Sequence, residues 1–354
     1  MNPPTAALVL VLLAGTLFVL PLLPAIGELR LQRDAKPLDI IQQHAGEIKH
    51  FAHGFREYIE PLLPALEQCV QAGTNASGKL PGGEKYLLLG RPVDPDFEFP
   101  TEKQCCPVIV AAGTDTFFPS GLTFAKEVYA AGQLTGGRRN TYRAVFGEKG
   151  LLLERGCKVL RWAHAAEKLE AQGDCELYGR ISSDQEIQLS AGCFFQRLHA
   201  PRIIAGERIP SPVVDFHSQA QAPKVTAARR LFEQDVDIRP GDVIAGDVVT
   251  RGKLRIRAGA RIFGSVKSNG ATVLEEGVWV MGSVISAGPM RIGRRCRIGG
   301  LLIAEHEMAI DADSQCGTPD QPTTVSAPTI TLAPGATIFG TLWAREKGHV
   351  VERL

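Results

Sequence analysis

Between residues 236 and 302, apolar side chains and glycines recur every eighteen positions. Ile238, Ile256, Leu274 and Ile292 form one column, and Ile244, Ile262, Val280 and Ile298 a second. Gly246, Gly264, Gly282 and Gly300 form a third, and Val248, Val266, Val284 and Leu302 a fourth. A fixed period this short describes a stack of supersecondary units, none of which buries its apolar side alone. Within one unit the apolar residues lie two or four apart, as in Leu254, Ile256, Ala260, Ile262 and Val266, which is the alternation of strands with one face inward. The pattern predicts a mainly β fold, a three-sided β-solenoid of eighteen residues per coil with three short strands in each. The recurrent glycine marks a corner where a Cβ would be crowded.

Weaker eighteen-spacing starts near Thr123, which pairs with Thr141, and strengthens where Leu153, Ala171 and Leu189 align. N-terminal coils are therefore expected over 117–205, and the clear coils over 236–346. The two halves are out of phase, which predicts an insertion loop at 206–235 carrying a short helical pattern from 227 to 234. The last coil, with Ile330, Leu332, Ile338, Gly340 and Leu342, follows Leu254, Ile256, Ile262, Gly264 and Val266 by seventy-six residues, four more than four periods. That excess predicts a loop at 311–328, and 347–354 reads as a tail. Ahead of the solenoid, Ile41, Ile48, Phe51, Phe55, Tyr58 and Leu62 mark one helix face, ended or kinked by Pro61 and Pro64. The rest of 28–116 mixes Gly, Pro and charge and reads as an irregular linker or cap.

The segments Ala258-Gly259-Ala260-Arg261-Ile262-Phe263-Gly264-Ser265-Val266 and Ala333-Pro334-Gly335-Ala336-Thr337-Ile338-Phe339-Gly340 resemble bactofilins, bacterial polymer-forming cytoskeletal proteins, over residues 236–346. The resemblance implies a right-handed three-sided β-helix that assembles end to end and recruits envelope-building enzymes, often at the inner membrane. This chain departs from that pattern in its extra coils, its two insertions and its own apolar N-terminus. The runner-up resemblance is to left-handed hexapeptide-repeat acyltransferases, which implies coils of the same length and a general-base histidine.

Residues 1–27 contain no charged side chain, and 6–23 is long and apolar enough to cross a membrane, so 1–27 is expected to be a transmembrane anchor. A cleaved signal peptide is the rival, with Ala25-Ile26-Gly27 as its cleavage tripeptide, but the basic n-region is missing. Arg30, Arg33 and Lys36 follow the span and none precedes it, which puts the bulk of a single-pass inner-membrane protein in the cytoplasm. Cys157, Cys175 and Cys193 recur at eighteen and read as small core fillers, as a reducing compartment allows.

Charge and chemistry refine the picture little. Formal net charge is +1, yet residues 251–300 hold ten Lys or Arg against two acidic residues. Arg255, Arg257, Arg261, Arg291, Arg294, Arg295 and Arg297 are expected on the outer face, as a basic surface for anionic headgroups or an acidic partner. Aromatic interleaving is too sparse for nucleic acid. His44, His50 and His53 share the helical segment, where His50 and His53 could hold a metal from one face, and His164, His199 and His306 lie in the solenoid. Of these, His306 alone is flanked by carboxylates, Glu305 and Glu307, that could orient it as a base. No nucleophile elbow, phosphate loop or paired-cysteine motif is present, so no catalytic residue, cofactor or metal is implied.

The expected function is a scaffold that self-associates or docks envelope-synthesis proteins. With twelve residues after Leu342 and no helix to cover the last coil, Ile338, Phe339 and Leu342 are expected to form an open edge that joins a second copy.

Overall fold

The computed structural model describes residues 48–94, 96–102, 105–206, 212–213 and 229–353, together with Thr5, Leu13, Thr16 and Leu20. The expected anchor and Arg30, Arg33 and Lys36 otherwise lie outside the described residues, as does His44. Among the described residues no helix is long and apolar enough to cross a membrane.

The eighteen-residue period becomes strand register. Leu254 pairs with Thr272, Thr272 with Met290 and Met290 with Met308, all in parallel, and two further columns of strands repeat the pattern on the other sides of the coil. About twelve coils stack in this way. Inward residues such as Ile256, Ile262 and Val266 are at most 1 % exposed, because each is covered by its equivalents on the rungs before and after. The glycine column has a steric cause, since a Cβ on Gly264 would stand 2.3 Å from the carbonyl oxygen of Gly246 one rung back. The inward serines of one column are satisfied: Gly270 O accepts from both Ser268 Oγ at 2.9 Å and Ser286 Oγ at 2.8 Å.

The first half begins earlier than expected, at the strand Ile109–Ala112, onto which Lys85–Leu89 pairs in parallel as one arm of a hairpin with Asn75–Lys79. Its coils use long strands that bend round a corner, among them Thr141–Gly147, Lys158–Ala165 and Glu176–Ser183, with slips in register at the bend. Leu134 pairs with Leu151, seventeen residues on, which is why the period is faint there. The helical segment is α1 (His50–Ile59), a 3-10 turn at Glu60–Leu62 and α2 (Leu63–Ala72), broken at the two prolines as expected. Ala52, Phe55, Ile59, Leu62 and Leu66 bury against Ile109, Tyr129, Phe146 and Trp162 on the outside of one solenoid face. Phe51 and Tyr58, expected on the buried side, are exposed.

The halves run in opposite directions. Phe194–Ala205, the last strand of the first half, pairs antiparallel with Thr337–Val350, the last of the second, matching Ile203 with Ile338, Leu198 with Leu342 and Phe194 with His349 around all sides of the coil. The expectation of an open C-terminal edge is therefore corrected: Ile338 and Leu342 are fully buried because another coil of the same chain covers them, and Phe339 is 2 % exposed. Three boundaries change with it. The first half of the tail, 347–350, is strand, since Thr337–Val350 runs to the end of the coil. The loop expected at 311–328 contains the strand Gln315–Cys316 and the start of Thr323–Leu332, leaving only 317–322 as an outward turn. The insertion at 206–235 ends sooner, because Arg230–Phe232 is a strand paired with Val248–Thr250 and not part of a helix, while 207–211 and 214–228 lie outside the described residues.

Candidate functional site

Because the two C-terminal coils close each other, the ends of the solenoid are its N-terminal cap and the first coil of the second half. The cap end is plugged. Phe99 is buried with its ring 5.3 Å from Phe118 and 5.6 Å from Phe124, and Tyr142 stacks on Phe124 at 5.1 Å. The other end is built by Arg230–Phe232, Val236–Ile238 and Val243–Ala245, each paired on one side only among the described residues. Phe232 takes the inward place that Thr250 and Ser268 hold on later rungs, yet it is 38 % exposed where they are buried. Leu231 and Val243 are 62 % and 59 % exposed. Unpaired strand groups beside exposed apolar side chains are a template for pairing.

Charges of both signs rim this end. Arg257 donates to Asp237 at 2.7 Å and holds that carboxyl below its ordinary range, and Arg251 pairs with Glu233 at 2.9 Å. Asp235 Oδ1 accepts from the backbone N–H of Lys253 at 2.7 Å, tying the rim to the next rung.

The expected basic surface does not gather into a stripe. Arg255 bonds Glu275 at 2.8 Å, Arg295 bonds Glu276, and Arg261 lies 4.9 Å over the Trp279 ring. Arg297 is not on the surface: it is buried and donates to the carbonyl oxygens of Asp313 at 2.7 Å and Cys296 at 3.0 Å, and burial pulls its pKa down. Arg291 and Arg294 remain exposed, without a partner among the described residues. Carboxylates on neighbouring rungs, Glu275, Asp237 and Glu276, answer three of these seven arginines.

The histidines separate as well. His306 is exposed on a turn and makes no hydrogen bond to Glu305 or Glu307. His53 faces His164 edge-on at 5.9 Å, whereas His50 opens onto the groove beside α1. Among the described residues no group of three or more potential ligands could hold a metal ion. A constellation that the sequence did not suggest surrounds His164, whose Nδ1 lies 2.9 Å from Ser182 Oγ and whose Nε2 lies 3.7 Å from Asp184 Oδ2, with Lys49 paired to the same carboxylate. Eighteen-spacing puts His164 and Ser182 on adjacent rungs, and that was the available signal. Both are at most 2 % exposed, so a substrate carbonyl has no approach to the hydroxyl. Desolvation pushes the imidazole pKa down to about 4, which leaves a neutral, hydrogen-bonded ring under α1. The cysteine column is likewise interior: Cys157, Cys175 and Cys193 are buried and free, with Cys175 Sγ 3.3 Å from Glu154 O.

Comparison of the chain with family models, curated proteins and solved structures finds no match.

Proposed function

We propose that this chain is a non-enzymatic scaffold of the bactofilin kind, anchored in the inner membrane by residues 1–27 with its solenoid in the cytoplasm, and that it joins a second copy through the coil begun by Arg230–Phe232. The observation that carries the reading is that this coil has ladder partners on one side only among the described residues, with Leu231, Phe232 and Val243 exposed beside it. The join between the halves supplies an internal precedent, because there two coils of this sequence already meet end to end in antiparallel register. A two-fold pairing of the free coils repeats that geometry between copies and sets the Arg and Asp side chains of each rim against the other. Phe99 closes the opposite end, so the assembly stops at two copies. Two joined solenoids then present a doubled platform on which envelope-synthesis proteins dock.

The experiment is light scattering on the chain from Ile48 onward, compared with a Leu231→Glu, Val243→Glu variant. Doubling of the mass in the parent, and its loss in the variant with circular dichroism unchanged, is the expected outcome. A parent that stays monomeric at high concentration defeats the reading.

A further inference from the structure

Beside α1, on the face that the helix covers, lies an open groove of about 720 Å³. One wall is aromatic, with Phe51, Phe55 and Tyr58 from the helix and Trp162 from the solenoid, and the Phe55 and Trp162 rings are 5.5 Å apart. The other wall is cationic. Lys126, Arg143, Arg161 and Arg180 reach it from successive rungs, against two carboxylates, Glu84 and Glu127. Both carboxylates are engaged: Glu127 accepts from Arg143 at 2.9 Å and Glu84 from the Tyr58 hydroxyl at 3.0 Å. Among the described residues Lys126, Arg161 and Arg180 have no hydrogen bond or ion pair, and Arg180 instead lies 4.6 Å over the Phe51 ring. After its own backbone N–H and Tyr58, Lys126 helps to hold the Glu84 carboxyl below its ordinary range, so the groove keeps two guanidiniums, Arg161 and Arg180, without a carboxylate around an apolar floor.

Strand register makes this arrangement costly. Arg180 takes the place that Trp162 holds one rung earlier, and its own register partner on the next rung is Arg197. Like charges on paired strands repel, and Arg180 lies over Phe51 while Arg197 lies over Trp343. A register slip between Leu177 and Arg180 turns the chain at this point, with Gly179 at φ +71°, where a Cβ would stand 2.0 Å from Arg161 O. Bulges of this sort re-aim side chains, and here the slip immediately precedes Arg180.

We infer that the groove binds an organic anion, a phosphate or carboxylate carried on an apolar body. The volume suits a small-molecule ligand. The head lies between the Arg161 and Arg180 guanidiniums, whose planar donors fit two oxygens of one group, and Lys126 adds charge. The body lies on Phe51, Tyr58 and Trp162. An inorganic anion leaves that floor wet, and a neutral amphiphile leaves the guanidiniums unanswered, so both parts of the ligand are needed.

The test is isothermal titration of the full chain with 1-naphthyl phosphate as the free organic anion and with dihexanoyl phosphatidic acid as the lipid-borne one. Inorganic phosphate and 1-naphthol serve as the two halves of the ligand. The expected result is saturable binding of at least one of the first two, each half binding roughly tenfold more weakly or worse. Arg161→Gln with Arg180→Gln should weaken that binding by roughly tenfold or more, and Arg291→Gln should leave it unchanged. Phe51→Ala should lower affinity for the organic anion without altering the response to inorganic phosphate, which separates a loss of the floor from a loss of the fold. Whichever of the two probes binds identifies the source of the anion. Binding of neither, equal binding of phosphate alone or naphthol alone, or full affinity in a folded double variant overturns the proposal.

Discussion

Leu198 and Leu342 are register partners across the junction of the two half-solenoids, fully buried on strands that run in opposite directions. Each closes the core beneath the other. Truncating either to Ala should cost about 2–5 kcal/mol, the range for a buried leucine that leaves a cavity. Denaturant melts of Leu198→Ala and Leu342→Ala measure this, and a loss of the size expected for a surface residue would mean that the halves do not meet there.

Placing Arg at Phe339 should unfold the junction rather than separate two molecules, because that side chain is 2 % exposed and a charge there has no partner. Loss of the near-ultraviolet signal, with new hydrophobic dye binding, is the expected outcome. A folded variant of altered oligomeric mass would restore the C-terminal edge as the site of association.

Arg297 and Arg255 should behave differently although both lie in the basic segment. Arg297→Ala removes two buried charge-assisted hydrogen bonds, to Asp313 O and Cys296 O, and should cost about 1–3 kcal/mol. Arg255 forms an exposed pair with Glu275, and Arg255→Ala should cost about 0.5 kcal/mol or less. Equal losses in urea titrations would contradict the burial of Arg297.

Acid should loosen α1 from the solenoid. The His164 pKa falls from 6.5 to about 4, mainly by desolvation, with Asp184 opposing and Lys49 and His53 reinforcing the shift. Above 6.5 the ring is neutral in both folded and unfolded chains, and its contribution to stability is complete. Between 6.5 and about 4 the unfolded chain takes up a proton that the folded one resists, so stability falls as pH falls. His164→Phe, which copies Phe146 of the preceding rung, should flatten this part of the profile. An unchanged pH profile in that variant would show that other groups govern it.

Most of the architecture was legible because a solenoid writes its period directly into the sequence: Ile238, Ile256, Leu274 and Ile292 stand on successive rungs as their spacing required. What spacing could not convey is direction along the axis. Two halves stacked head to tail and two halves closed on each other have the same columns, and only the antiparallel match of Ile203 with Ile338 distinguishes them. That one relationship moved the open edge from Phe339 to Leu231 and Val243. The groove was hidden for a related reason, since it joins α1 to residues of successive rungs such as Lys126, Arg161 and Arg180, far apart in sequence.

End-to-end pairing through the coil of Leu231 and Val243 doubles the length of the particle, which negative stain measures. About twelve rungs at ~4.8 Å give one solenoid a length of roughly 60 Å, so a pair joined at that coil should measure roughly 120 Å. Particles of the doubled length are expected for the chain from Ile48 onward, and of the single length for the Leu231→Glu, Val243→Glu variant. Single-length particles in both, or filaments that grow past two copies, would contradict it.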